Sequence, residues 1–180
     1  GTTAVPPAPS PSLINHGAPP VTSTFSPEEV AGVIGNARKM KMFGASWDTY
    51  TIIVTNRRMI IAQMTQALLN AAIMEAQSKA KAEGKGFFAI MKDQMAAQFR
   101  FALRYETMPP DASLAETPGN IAIENSRISA ITLKLKDSGS GDMEYTEFQI
   151  IIESSGGKSE YLIAEDDRFI NLLTTVYDEK

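Results

Sequence analysis

Few side chains in this sequence can transfer a proton, attack as a nucleophile or ligate a metal, and their spacing narrows the field further. His16 is the only histidine among 180 residues, and there is no cysteine. Thiol nucleophiles, disulfides and cysteine-based zinc or iron–sulfur sites are therefore excluded from this sequence. A lone histidine in a proline-rich tail has no held partner, so neither Ser-His-Asp catalysis nor a histidine metal site is expected. No Gly-x-x-x-x-Gly-Lys-Ser/Thr loop occurs, and Gly84-Lys85-Gly86 reads as a helix-to-helix turn with Lys85 solvated. The densest acidic run, Glu165-Asp166-Asp167, lacks the alternating ligands and glycine of a calcium loop, and N-capping of a helix accounts for it better. The sequence thus points to no enzyme, no cofactor and no metal.

What remains is a basic cluster. Arg38, Lys39 and Lys41 precede Gly44, while Arg57 and Arg58 follow Asn56. If consecutive strands are neighbours, these two turns lie at opposite ends of a Trp47–Val54 strand and cannot form one pocket. Arg57-Arg58 then marks a solvated turn. Lys39 and Lys41, with Lys79, Lys81 and Lys85, are the candidate contacts for an anion or a lipid head group. The net charge of −4 divides into +2 over residues 25–63, +2 over 64–110 and −8 over 111–180. That balance argues against a nucleic-acid partner but leaves room for a local basic patch. The nine methionines, Met40 and Met42 among them, are expected to fill core gaps.

These residues must be held by elements, and hydrophobic periodicity supplies them. Residues 1–24 are uncharged and rich in Pro, Ala, Ser and Thr, which reads as an extended linker. Pro6-Pro7-Ala8-Pro9 has the spacing of a proline-domain ligand but no flanking basic residue. The chain starts Gly-Thr-Thr without Met, so Gly1 reads as a tag-cleavage scar on a fragment. Ser26-Pro27-Glu28-Glu29 has the form of a capping box, which predicts a short helical turn before a strand over about Val33–Phe43. Two apolar runs around Thr55-Asn56-Arg57-Arg58 predict a β-hairpin over Tyr50–Ala62, with Asn56 suited to a positive φ. Strong helix formers from Met64 to Glu83 and a stripe from Phe87 to Arg104 predict a helical hairpin ended by Pro109-Pro110. Period two returns at Ile131–Lys136, Thr146–Glu153 and Ser159–Ala164. Phe169, Leu172, Leu173 and Val176 then make the buried stripe of a closing helix capped by Asp166 or Asp167.

The Tyr50–Ala62 hairpin, with its Thr-Asn-x-Arg turn, resembles that of bacterial pleckstrin-homology-like and GRAM-like domains. Asn125-Ser126-Arg127-Ile128-Ser129-Ala130-Ile131 is similar to a following strand of that family, and Phe148–Ile152, Gly156-Gly157-Lys158, Tyr161–Ile163 and the last helix to its ending. The resemblance covers residues 26–63 and 117–178. It implies an α+β, mainly β fold: a partly open barrel of two antiparallel sheets with a C-terminal capping helix. The helical hairpin at 64–110 departs from the family as an insertion that interrupts the barrel, within one domain over 25–180. It also implies a module that binds partners or membranes rather than catalysing. The lipid-binding signature is incomplete, because Lys39-x-Lys41 is present but Tyr50-Thr51-Ile52 carries no basic pair. The leading expectation is protein binding or self-association through Phe87, Phe88, Met91, Met95 and Phe99 of the insertion. The alternative is peripheral attachment to an anionic membrane, on a cytoplasmic face, through the five lysines. The second alternative is an enzyme of unknown type, which a pocket holding facing carboxylates would favour.

Overall fold

The computed structural model describes residues 26–84, 86, 100–139 and 141–178. The chain runs through β1 (Val30–Lys41), β2 (Ser46–Thr55), β3 (Arg58–Gln63) and α1 (Gln66–Ala82). After a helical stretch at 100–103 and a 3-10 turn (Arg104–Glu106) come α2 (Pro110–Ala115) and β4 (Ile121–Glu124). β5 (Ile128–Ser138), β6 (Tyr145–Ser154), β7 (Gly157–Ala164) and α3 (Asp167–Tyr177) complete it. The fold is mainly β: a curled, antiparallel half-barrel with a C-terminal helix.

Where two sheets are expected, a single seven-stranded sheet forms in the order β4-β3-β2-β1-β7-β6-β5. β1 makes the join. Its register against β2 breaks between Ile34 and Ala37, where Asn36 takes a φ of 53°. Such a bulge bends a strand, and beyond it Arg38 pairs with Leu162 of β7, the one residue pair that carries the sheet across. Gly32 and Gly35 let other elements close on this strand. A Cβ at Gly32 would lie 2.9 Å from the Leu172 side chain of α3, and one at Gly35 would lie 2.8 Å from Cβ of Ala102.

The unbroken apolar runs Ile52-Ile53-Val54 and Met59-Ile60-Ile61-Ala62 are explained by cover on both faces of β2 and β3. Inside the curl, Ile52, Val54, Met59 and Ile61 meet Phe148, Ile150, Ile152 and Ile163, with Leu173 and Tyr177 of α3 closing the cluster. On the other face Ile53, Ile60 and Ala62 pack with Tyr105, backed by Phe101, Met108 and Leu114. Each fully buried isoleucine contributes about 2 kcal/mol.

Several local expectations are corrected. Ser26–Glu29 is not helical, since its groups bond across to the β2–β3 turn instead of closing a capping box. The helical stretch ends with the 3-10 turn before Pro109-Pro110, as expected, but the pair also opens an unexpected α2, where Pro110 occupies the first helical position. β4, a four-residue strand on the outer edge of β3, has too short a pattern to announce itself. α1 starts on the side chain of Thr65, which accepts from the Leu68 N–H, and Gly84 at φ 71° ends it as a left-handed cap. Of the second expected helix, only the part from residue 100 onward is described.

Candidate functional site

The sheet has two basic hairpin turns at opposite ends of β2, and they are built in opposite ways. At the β2–β3 turn every strong polar group is engaged. The Thr55 hydroxyl accepts from the Arg57 and Arg58 N–H groups at 3.1 and 2.9 Å. Arg58 grips Glu28 with two 2.9 Å bonds and also reaches Asp111. The side chain of Asn56 accepts from the Glu29 N–H and donates to the Pro27 carbonyl. It does so without a positive φ, so its role is to tie down the chain entering β1. Arg57 donates to the Ser26 carbonyl. On the inner side Asn125 donates to the Thr55 carbonyl and accepts from the Tyr177 hydroxyl, which joins this turn to the end of α3. Burial pushes the Tyr177 phenol well above its ordinary range, so it stays a donor. Arg58 is only 14% exposed, so the expectation of a solvated Arg57-Arg58 turn holds for Arg57 and fails for Arg58. The cause is Glu28, freed for pairing because Ser26–Glu29 is extended.

The β1–β2 turn is the reverse. β2 pairs with β3 only as far as Tyr50, and β1 meets β7 only at Arg38, whereas the β1–β2 ladder continues out to Lys41–Ser46. Residues 39–48 therefore form a two-stranded arm without a neighbour on either edge among the described residues. At its end Met42, Phe43 and Gly44 all have positive φ, at 47°, 57° and 87°. For the two non-glycine residues this conformation costs about 1 kcal/mol each, and no packing offsets it: Met42 is 74% exposed and Phe43 entirely exposed. Met40 and Trp47, facing each other across the ladder, are also exposed. Met40 and Met42 are thus not core fillers.

The cations sit around this apolar tip. Lys39 is exposed and has no ion-pair partner among the described residues. Lys41 pairs with Asp48 at 2.6 Å, and that hydrogen bond holds its ammonium above the usual lysine range. At the foot of the arm, Arg38 lies 5.9 Å from the centre of the Trp47 ring and is ion-paired with the buried Glu147. Lys79 and Lys81 are exposed in the last turn of α1, a helix whose start adjoins the foot of the arm through a 2.8 Å bond from the Met64 N–H to the Thr49 carbonyl. At about 1.5 Å per residue, Lys79 is about 20 Å further along that axis. No hydrogen bond or ion pair links the α1 lysines to Lys39 or Lys41 among the described residues. Lys85, Phe87, Phe88, Met91, Met95 and Phe99 lie outside the described residues.

Sequence reasoning picked out Lys39 and Lys41 but missed Met40, Met42, Phe43 and Trp47. The available signal was Met-Phe before Gly44: two large apolar residues where a turn calls for polar ones.

A separate cleft of about 730 Å³ opens between β1, β7 and the start of α3. Its carboxylates are largely committed: Glu147 to Arg38 and Ser138, Glu165 to Thr146, and Asp166 to Arg168. Among the described residues no group of three or more His, Cys, Asp or Glu could hold a metal ion, and no helix is long and apolar enough to cross a membrane.

No family model, no curated protein and no solved structure matches the chain.

Proposed function

We propose that this chain is a non-catalytic attachment module of the pleckstrin-homology-like kind, which docks on an anionic bilayer through the β1–β2 arm. The fold reading is supported by the curled half-barrel, the helix closing one end and the Tyr50–Ala62 hairpin at its centre. The membrane reading rests on one observation: Phe43, fully exposed, held in a left-handed turn at the end of an unsupported arm that carries Lys39 and Lys41. Strain without internal compensation is a mark of sites whose partner lies outside the fold.

The magnitudes favour insertion over electrostatics. Burying Phe43 and Met42 in acyl chains contributes about 2 kcal/mol each. Each lysine near an anionic leaflet adds about 1 kcal/mol, and Asp48 offsets part of what Lys41 supplies. Trp47, with an apolar ring and an indole N–H, suits the interface between the two zones. Self-association through Phe87, Phe88, Met91, Met95 and Phe99 draws no support from the described residues, so the arm takes precedence.

Trp47 is the only tryptophan in the chain, so its fluorescence reports the arm directly. Vesicles containing phosphatidylserine should shift its emission to shorter wavelength and pellet the protein, and Phe43→Asp should abolish both effects. Unchanged emission and no pelleting at low salt would sink the reading. A blue shift that grows with protein concentration without lipid, with a matching mass increase by light scattering, would reassign the arm to a second copy.

A further inference from the structure

β1 and β7 pair only at Arg38–Leu162, and on the N-terminal side of that pair, where Asn36 bulges, the two strands part. The wedge between them is the cleft of about 730 Å³, whose other walls come from residues 102–106 and the start of α3. That volume lies within the range of small-molecule sites. Val33, Leu103, Ile163, Phe169 and Leu172 make most of its lining apolar. Its charges do not balance. Arg38 is taken by Glu147 and Arg168 by Asp166, which leaves Glu106 and Glu165 as surplus carboxylates in the lining. Both residues are exposed. Among the described residues the Glu165 carboxylate meets only the Thr146 hydroxyl, which does not neutralise it, and that of Glu106 has no partner. The Asn36 side chain, in the same lining, also makes no hydrogen bond among the described residues.

We infer that this cleft binds a small organic amine, a protonated nitrogen carried on an apolar body such as an alkyl chain. The body displaces water from the walls that Val33, Ile163 and Phe169 build, which is where most of the affinity arises. The ammonium has three donors and no acceptor, and the surplus carboxylates and the Asn36 carbonyl offer acceptors for them. Charge then selects among ligands of equal apolar bulk. A carboxylate-headed molecule of the same length is repelled by Glu106 and Glu165, and a neutral alcohol gains no Coulomb attraction from them. The cleft flanks the N-terminal half of β1, away from the arm, so its ligand and the membrane reading stand or fall separately.

The test uses the full chain, 15N-labelled, titrated at neutral pH with octylamine, and with octanol and octanoate as controls of the same chain length. Saturable shifts of the amides of residues 31–36 and 163–169 are expected with octylamine. Octanol should bind the same amides about fivefold more weakly, the scale of two exposed charge contacts, and octanoate more weakly still. The double variant Glu106→Gln, Glu165→Gln, altered at exposed positions, should bring octylamine down to the affinity of octanol. Ala164→Phe, at an exposed position in the cleft wall, should fill the space and remove the binding of both. Absence of these shifts at millimolar octylamine overturns the assignment, as does equal or tighter binding of octanol or octanoate. Octylamine shifts that survive Ala164→Phe would overturn it too, since they would reduce to association with a negatively charged surface.

Discussion

The two turns at the ends of β2 use similar residue types for opposite purposes. Thr55–Arg58 buries its arginine against Glu28, and its side chains and backbone groups bond to three other parts of the chain. Met42–Ala45 has one backbone bond of its own, from the Ala45 N–H to the Met42 carbonyl, and gives its large side chains to solvent. The conspicuous pair of arginines belongs to the scaffold, while the unremarked Met-Phe pair is what faces outward. Basic residues in a hairpin turn therefore say little about ligand binding until their partners are known.

Mutations can break the comparison from either side. Arg58→Ala leaves Glu28 half-buried and unpaired, and should cost about 3 kcal/mol in urea unfolding. A loss below about 1 kcal/mol would show the β2–β3 turn to be no more anchored than the arm. Asn125→Ala removes the partner of both the Thr55 carbonyl and the Tyr177 hydroxyl, and should cost about 2 kcal/mol without altering vesicle binding. At the arm the sign reverses. Phe43→Gly relieves the positive φ and should raise stability by about 1 kcal/mol while removing vesicle binding, a separation that a structural role for Phe43 does not allow.

The smallest effect serves as a control outside both turns. Arg168 and the Arg168 backbone N–H hold the Asp166 carboxyl below its usual range. A carboxyl lowered in the folded state adds stability that is present above about pH 4 and lost as pH falls through the folded value. Asp166→Asn keeps a capping side chain, so stability at neutral pH should change by less than about 0.5 kcal/mol while its acid dependence flattens. Thermal unfolding from pH 3 to 7 measures both.

Much of the framework is legible in the chain. Alternation marks β6 and β7, the Phe169–Val176 stripe marks α3, and the apolar runs beside Thr55–Arg58 mark the central hairpin, because burial on one face or both leaves a periodic record. The functional candidates are less so. Phe43 reads as the end of a strand, and only the failure of β3 and β7 to extend along the arm shows that nothing among the described residues covers it.

The sequence by itself determined which segments alternate, where turns interrupt them, and that no cysteine or paired histidine chemistry is at hand. Tertiary structure decided which basic residues are free. Glu28 meets Arg58 across 30 positions, and Glu147 meets Arg38 across 109. Charge pairing over such separations depends on strand order and curl, which a local pattern does not encode. The same holds for the two exposed edges, the arm and β5: an edge is defined by the neighbour a strand lacks, and that is a property of the whole sheet.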